Sequence, residues 1–126
     1  MLICAAALCI FIGSVHSYLG ERFILIRLFR NPLPPLLGND DFTRQTLRFA
    51  WHITTVAWWG FGAILYCLSA GAGSSRQILF IIGTTFAVSA GFPIAISRGK
   101  HLSGIVFGAI AVLCFIAGNT GFADSH

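Results

Sequence analysis

The chain has 126 residues, of which 56% are hydrophobic and only 10% are charged, and its mean hydropathy is +0.83. Soluble domains are about a quarter charged, so this composition excludes an ordinary water-soluble fold. The formal net charge of +4 is better explained by the loops of a membrane protein, because no nucleic-acid-binding module is recognisable. We therefore expect a single transmembrane domain over residues 1–126.

Four apolar stretches dominate the chain and predict spans at about 2–29, 41–70, 76–97 and 102–117. A helix needs about 20 residues to cross a hydrocarbon core of about 30 Å. The apolar residues run continuously and do not alternate with polar ones, which favours helices over a β-barrel. The predicted fold class is therefore all-α, a polytopic four-helix transmembrane bundle.

The first apolar stretch lacks a basic N-terminal region and an A-x-A cleavage site, so we interpret it as a retained span rather than a signal peptide. It continues past Gly20 and is expected to end at Asn31, since the following proline disfavours helix there. The proline-rich segment 32–38 predicts a stiff turn. Asn39 or Asp40 is expected to cap the second span. Spans one and two would then form a long antiparallel hairpin.

The second half of the chain predicts spans three and four. A short turn at 71–75 joins spans two and three, and Pro93 in span three predicts a kink or an early end. In span four, Gly104 and Gly108 form a G-x-x-x-G pair, which lets membrane helices approach closely. Span one carries a comparable seam of small residues, namely Gly13, Ser17 and Gly20.

Basic residues concentrate in two of the three predicted loops. Counted between the apolar stretches themselves (2–19, 49–70, 78–96 and 102–117), five lie between the first and second, two between the third and fourth, and one between the second and third. They are Arg22, Arg27, Arg30, Arg44 and Arg48; Arg98 and Lys100; and Arg76. The positive-inside rule then places the first and third loops in the cytoplasm. Both termini are predicted to be outside (N-out/C-out), and the long first hairpin is expected to project its basic tip toward cytoplasmic headgroups.

Polar and aromatic side chains near the predicted cytoplasmic interface form the candidate site: His16, Tyr18, Glu21, Arg48, His52, Trp59 and His101, with Arg98 nearby. We expect Glu21 and Arg48 to pair, with the histidines of spans one and two a turn deeper between the helices. Ionisable groups in a membrane are functional-site candidates by default. An ion pair that only fixes the hairpin explains the same residues.

Span two shows helical spacing of its polar and aromatic residues: Arg48, His52, Thr55, Trp59, Gly62 and Tyr66. Steps of three and four place such a set on one helix face. We expect this face to be directed at protein rather than lipid.

Three histidines at a similar predicted depth also suggest a cofactor. Imidazole binds transition metals, and two opposed histidines can hold a haem, so His16, His52 and His101 are candidate ligands for either. The spacing has no H-E-x-x-H signature, and three histidines are too few for a membrane di-iron hydroxylase. The alternative is that these histidines only hydrogen-bond within the bundle. The four cysteines form no C-x-x-C pair and are interpreted as small packing residues.

Three stretches carry a resemblance to known proteins: His16-Ser-Tyr-Leu-Gly-Glu21, Leu47-Arg-Phe-Ala-Trp-His52 with Trp58-Trp59, and Ser97-Arg-Gly-Lys-His101. They resemble small four-span bacterial membrane proteins without an assigned function, over most of the chain. The resemblance implies a bacterial inner (cytoplasmic) membrane with periplasmic termini, and it implies no activity. Small multidrug exporters fit poorly, because their glutamate lies in the middle of helix one and Glu21 lies at its edge.

The sequence contains no catalytic motif, nucleophilic triad or phosphate loop, so an enzymatic role is not favoured. We expect a non-enzymatic binding or accessory subunit of a larger inner-membrane assembly, in contact with lipids and with other subunits or copies of itself. A haem- or metal-binding redox protein is the alternative. Proton-coupled transport of a small solute by a dimer is a third hypothesis, because histidine changes charge near neutral pH.

Overall fold

A computed structural model of the protein describes residues 1–35, 40–97 and 102–120. Within these residues the chain is helical and forms no strand. The elements are α1 (Leu2–Leu19), a π-helical turn (Gly20–Leu25), α2 (Ile26–Leu28), α3 (Asp41–Ser69), α4 (Ser75–Ser97) and α5 (Leu102–Asn119). The all-α fold class is thus confirmed.

The first three elements form one continuous helix of 27 residues, Leu2–Leu28. The predicted extension beyond Leu19 is confirmed, and the helix ends in a turn just before Asn31. A π-helical turn in its interior is not foreseen from the sequence pattern. It begins at Gly20, whose N–H reaches the carbonyl oxygens of both His16 and Ser17. Such turns insert a residue into the helical register and often occur at functional sites.

Helix α3 has the predicted bounds, but its N-terminus is built differently. Asp40 occupies the N-cap position without a side-chain hydrogen bond to the first turn. Its carboxylate instead accepts the Leu33 N–H at 3.3 Å and a guanidinium N–H of Arg44 at 2.6 Å. Asp40 therefore links the proline-rich turn to α3, and its side chain does not form the N-terminal cap that was predicted. Asn39, the other predicted cap, lies outside the described residues.

Helices α4 and α5 are close to their predicted lengths. Helix α4 continues through Pro93 to Ser97, the predicted end of the span. Of the two outcomes expected of Pro93, a kink or an early end, the early end is therefore wrong. Proline removes one backbone hydrogen bond and crowds the preceding turn. A helix tolerates this loss more easily near its C-terminus than in the middle of a span. Helix α5 runs to Asn119, past the predicted end at 117. Between α3 and α4 the chain reverses at Gly71, whose φ of +67° is a left-handed conformation suited to glycine.

The helices pack as two antiparallel hairpins. In the first hairpin, formed by Leu2–Leu28 and α3, Trp51 lies beside His16 and Trp59 lies beside Ile10. In the second hairpin, formed by α4 and α5, aromatic rings meet in the pairs Phe80–Phe115 and Phe86–Phe107.

The two hairpins join along α3 and α4, where Gly60 lies against Thr85. Apolar grooves of about 470 Å³ and 360 Å³ flank this seam. Helices α3 and α4 also meet less extensively than the two helices of either hairpin do.

Three helices are long and apolar enough to cross a membrane: Leu2–Leu28, Ser75–Pro93 and Leu102–Asn119. Helix α3 is long enough at 29 residues, but the polar and aromatic face that it carries lowers its hydropathy. Large apolar side chains cover the outer surface of the bundle, and none of the described large side chains is fully enclosed by protein. These features indicate a membrane protein whose outer faces contact lipid.

Candidate functional site: the polar cluster between helices α1 and α3

Close approach of α1 and α3 depends on glycines that face tryptophans. A Cβ atom on Gly20 would lie 1.8 Å from Nε1 of Trp51, and one on Gly13 would lie 3.1 Å from Nε1 of Trp59. Both indole rings therefore rest directly on the α1 backbone. This explains the small-residue seam of span one, which lets a bulky partner helix approach.

Both tryptophans also hydrogen-bond to that backbone. The indole N–H of Trp51 donates to the carbonyl oxygen of His16 at 3.1 Å, and that of Trp59 donates to the carbonyl oxygen of Ile10 at 3.3 Å. The His16 carbonyl also accepts the Gly20 N–H at the start of the π-helical turn. An additional donor at this carbonyl weakens the normal helical bond, which is a physical reason for the widened turn to begin here.

Beside this turn lies the polar cluster, which we define as Ser17, Glu21, Arg48 and His52. One oxygen of Glu21 accepts from Nη2 of Arg48 at 2.7 Å, and the other accepts from Nε of Arg48 at 3.1 Å. The predicted pairing of these two residues is confirmed, and it is the bidentate form that is strongest for a guanidinium and a carboxylate. Arg48 also lies over the ring of Phe29, 5.1 Å from its centroid.

His52 connects the ion pair to Ser17. Its Nε2 lies 3.2 Å from the second oxygen of Glu21, and its Nδ1 lies 2.6 Å from the Ser17 hydroxyl oxygen. His52 is thus level with Glu21 rather than a full turn deeper as predicted. When neutral, the ring can donate from Nε2 to Glu21 and accept the Ser17 hydroxyl at Nδ1. When protonated, it donates from both nitrogens, so uptake of a proton breaks neither contact.

The order Ser17, His52, Glu21 has the residue types of a nucleophile, a base and an acid, and it is not predicted from the sequence. The serine and the glutamate are one helical turn apart on the first span, which is the signal that a search for i, i+4 pairs would find. Hydrolysis also needs donors aimed at a developing oxyanion. The backbone N–H groups around Ser17 lie inside α1, where helical bonds use them, so the geometry favours a role in holding the helices.

His16 belongs to a different contact. Its ring stacks on Trp51 with centroids 4.5 Å apart and planes inclined by 1°, and it also meets Trp58 at 5.0 Å. Its Nε2 lies 3.0 Å from the hydroxyl of Thr54. His16 therefore contacts side chains of α3, whereas His52 contacts Ser17 and Glu21 on the first span, and the two histidines share no partner among these contacts.

The described residues contain no group of three histidine, cysteine, aspartate or glutamate side chains that could hold a metal. His101, the third predicted ligand, lies outside the described residues, as does Arg98. The four cysteines are free thiols. The haem or metal hypothesis therefore stays a prediction without support from the described arrangement.

The predicted polar face of α3 largely meets α1. Its members Arg48, His52 and Trp59 bond to the first span, and Gly62 packs against Ala6 and Ile10. Within this face, Tyr66 differs from the expectation, because it is 61% exposed, and Trp59 remains 44% exposed although it bonds to α1. Tyr18, the candidate tyrosine of the first span, is 66% exposed. Sequence reasoning did not foresee the contacts that Trp51 and Thr54 make with His16, because these contacts depend on the rotation of α3 against α1.

Comparisons with models of protein families, with curated proteins and with solved structures found no match to this chain. The geometry of the polar cluster and the packing of the bundle therefore carry the functional argument alone.

Proposed function

We propose that the protein is a four-span bacterial inner-membrane protein that acts as a non-enzymatic binding or accessory subunit of a larger membrane assembly. Helix α3 supports the fourth span. It runs antiparallel to the first span from Trp51, beside His16, to Gly62, beside Ala6. A bilayer that contains the first span would therefore contain α3 as well, with its polar face covered by α1.

The orientation belongs to the same proposal. Seven basic residues in the first and third loops against one in the second favour cytoplasmic loops at those positions and periplasmic termini. Single-cysteine labelling from either side of sealed membrane vesicles tests this directly. The expected result is modification of a cysteine in the 71–74 turn from the periplasmic side only.

The observation that carries the accessory role is the contrast between inner and outer glycines. Glycines inside the bundle contact neighbouring helices, whereas a Cβ on Gly91 or Gly108 would meet no atom within 4 Å. Gly91 is exposed on α4, and Gly108, which belongs to the G-x-x-x-G pair, is half-buried but has open space beside its backbone on α5. Exposed small residues are where a further transmembrane helix can pack closely.

Extraction of the protein from its host membrane in a mild detergent tests this role. We expect it to be recovered with another membrane protein or as a homo-oligomer, and the Gly91→Leu/Gly108→Leu variant to lose that association. Ala50→Leu is the matched control, because it adds the same side chain at an exposed position of α3. A monomer without any copurifying membrane protein, at every detergent concentration, contradicts the proposal.

A second candidate function is proton-coupled movement of a small solute by a dimer, and the bonding of His52 favours it. This ring can gain and lose a proton while it keeps both of its partners, Ser17 and Glu21. The expected result in proteoliposomes is a pH-dependent flux that His52→Gln abolishes. Absence of such flux, with correctly inserted protein, removes this candidate.

The hypothesis of a redox cofactor has its own decisive measurement. Protein purified from its native host should contain stoichiometric metal or show a haem Soret band if two histidines hold a cofactor. A colourless, metal-free protein removes this hypothesis and leaves the accessory role untouched.

A further inference from the structure

The first hairpin carries two classes of arginine, which differ in whether a carboxylate already neutralises them. Arg48 is bound by Glu21 and Arg44 is bound by Asp40, with N···O distances of 2.7 Å and 2.6 Å. Arg44 also donates to the carbonyl oxygens of Phe29 and Asn31, at the end of the first span. These two guanidinium groups are therefore used within the protein.

The remaining three arginines form what we call the basic rim: Arg22, Arg27 and Arg30. All three are exposed. Among the described residues, Glu21 and Asp40 already bind other arginines, and no carboxylate lies within ion-pairing distance of the rim. Arg27 rests over the ring of Phe23 at 5.7 Å from its centroid. Within the described part of the chain, the rim thus presents three positive charges that no carboxylate pairs with.

The length of the first span places the rim at the depth of the lipid headgroups. Its 27 residues measure about 40 Å along the helix axis, whereas the hydrocarbon core is about 30 Å thick. The excess is about 10 Å, or roughly seven residues, which corresponds to 22–28, and Arg30 lies in the turn that follows this segment. This segment interleaves its arginines with exposed apolar side chains, including Phe23 and Ile24 at 49% and 48% exposure. Such a mixture suits the boundary between hydrocarbon and headgroups.

From these observations we infer that the basic rim is a binding site for the phosphate group of anionic phospholipids. Guanidinium groups bind phosphate oxygens in a bidentate manner, and the neighbouring apolar side chains would contact the acyl chains. The inference rests on the membrane insertion that the proposed function assumes, but it does not require a protein partner. Each arginine near an anionic surface is expected to contribute about five-fold in affinity.

Native mass spectrometry of the full chain in a neutral detergent tests the site. Phosphatidylglycerol and phosphatidylcholine with identical acyl chains are added in parallel, and bound lipids are counted. We expect selective binding of phosphatidylglycerol, with a loss of about five-fold for each of Arg22→Gln, Arg27→Gln and Arg30→Gln. Arg76→Gln is the matched control, since it removes the same charge from an exposed arginine at the opposite end of the bundle.

Two further measurements define the ligand. Glycerol 3-phosphate, which lacks acyl chains, should not compete if the site takes a lipid, whereas competition would assign the site to a free phosphate compound and overturn the lipid assignment. The triple Arg→Lys variant keeps the charge but loses the bidentate geometry, so it should bind phosphatidylglycerol more weakly than the wild type but more strongly than the triple Arg→Gln variant, which separates loss of charge from loss of fold. Equal binding of the two lipids, or an equal loss in Arg76→Gln, overturns the inference. Neither outcome affects the association test of the accessory role, which measures copurification.

Discussion

The two hairpins of this protein hold their helices together by different means. In the first hairpin, side chains of α3 make hydrogen bonds to α1 at several levels, from the Glu21–Arg48 pair to the indole N–H of Trp59. In the second hairpin, the inter-helix contacts are mainly ring against ring and ring against glycine. Phe115 lies against Gly83 and Phe80 lies against Gly118.

This difference between the hairpins follows from the side chains that their helices carry. Water cannot compete for hydrogen bonds in the hydrocarbon layer, so polar side chains on α3 must find partners within the protein. Bonds between specific atoms fix the register of α3 against the first span. Packing of phenylalanine rings on glycine lets α4 and α5 approach closely. It excludes a shift of one helix along the other less strongly than hydrogen bonds between specific atoms do. The first hairpin is therefore the more sharply specified part of the bundle.

The largest expected effect of a single change is at Gly20. Gly20→Ala places a methyl group 1.8 Å from the present position of Trp51 Nε1, so the indole must leave its stack with His16 and its hydrogen bond to the α1 backbone. We expect destabilisation of about 1–3 kcal/mol, as for overpacking in a tight core. SDS titration in mixed micelles, followed by circular dichroism, measures it. Gly108→Ala is the control and should be nearly neutral, because no atom lies within 4 Å of its added methyl group.

The second effect concerns the Glu21–Arg48 pair. Glu21→Gln leaves Arg48 with a weaker acceptor and should lower the free energy of unfolding by about 1–3 kcal/mol. The double variant Glu21→Gln/Arg48→Met should recover part of this loss, because no uncompensated charge remains. If the double variant loses as much stability, relative to wild type, as Glu21→Gln and Arg48→Met lose together, the two residues act independently.

A smaller effect is expected in the second hairpin. In Gly83→Ala the new methyl group would lie 2.7 Å from Cε1 of Phe115, which is the far edge of a ring that can rotate away. We expect the loss to fall near the lower limit of overpacking, about 1 kcal/mol, and below the loss in Gly20→Ala. Unfolding under the same SDS titration compares them. If Gly83→Ala costs as much as Gly20→Ala, the second hairpin is as tightly specified as the first.

The smallest effect concerns pH and the turn that closes the first hairpin. The hydrogen bond from Arg44, and then the one from the Leu33 N–H, hold the pKa of Asp40 below its ordinary value of 3.8. Because the folded pKa is the lower one, the stabilisation is complete above that ordinary value and is lost as the pH falls through the folded pKa. The wild type should therefore exceed Asp40→Asn in thermal stability at pH 6, and the difference should shrink below pH 4. A difference that is independent of pH would assign the role of Asp40 to something other than its charge.

Several features of the fold could be predicted because they depend on local sequence. The bounds of α3 follow from the acidic residues at its start and from the turn at Gly71. The continuation of the first helix past Leu19 follows from the apolar residues that resume after Arg22 and continue, with arginines between them, almost to the first proline. The Glu21–Arg48 pair could be predicted because the hairpin makes the two helices neighbours and because both residues lie at a similar predicted depth in the membrane. In each case the determining residues lie close together in the chain or are constrained by a short connection.

The sequence by itself determined that the chain is helical and apolar enough for a membrane, since continuous apolar runs of span length have few other solutions in water or lipid. Only the tertiary structure decided which side chains meet. The rotation of α3 against α1 brings His52 to Ser17 and Glu21 and places His16 on Trp51, and this rotation depends on Gly13 and Gly20 lying under two indole rings. Because a small change in helix rotation exchanges one set of neighbours for another, spacing along one helix cannot specify such contacts.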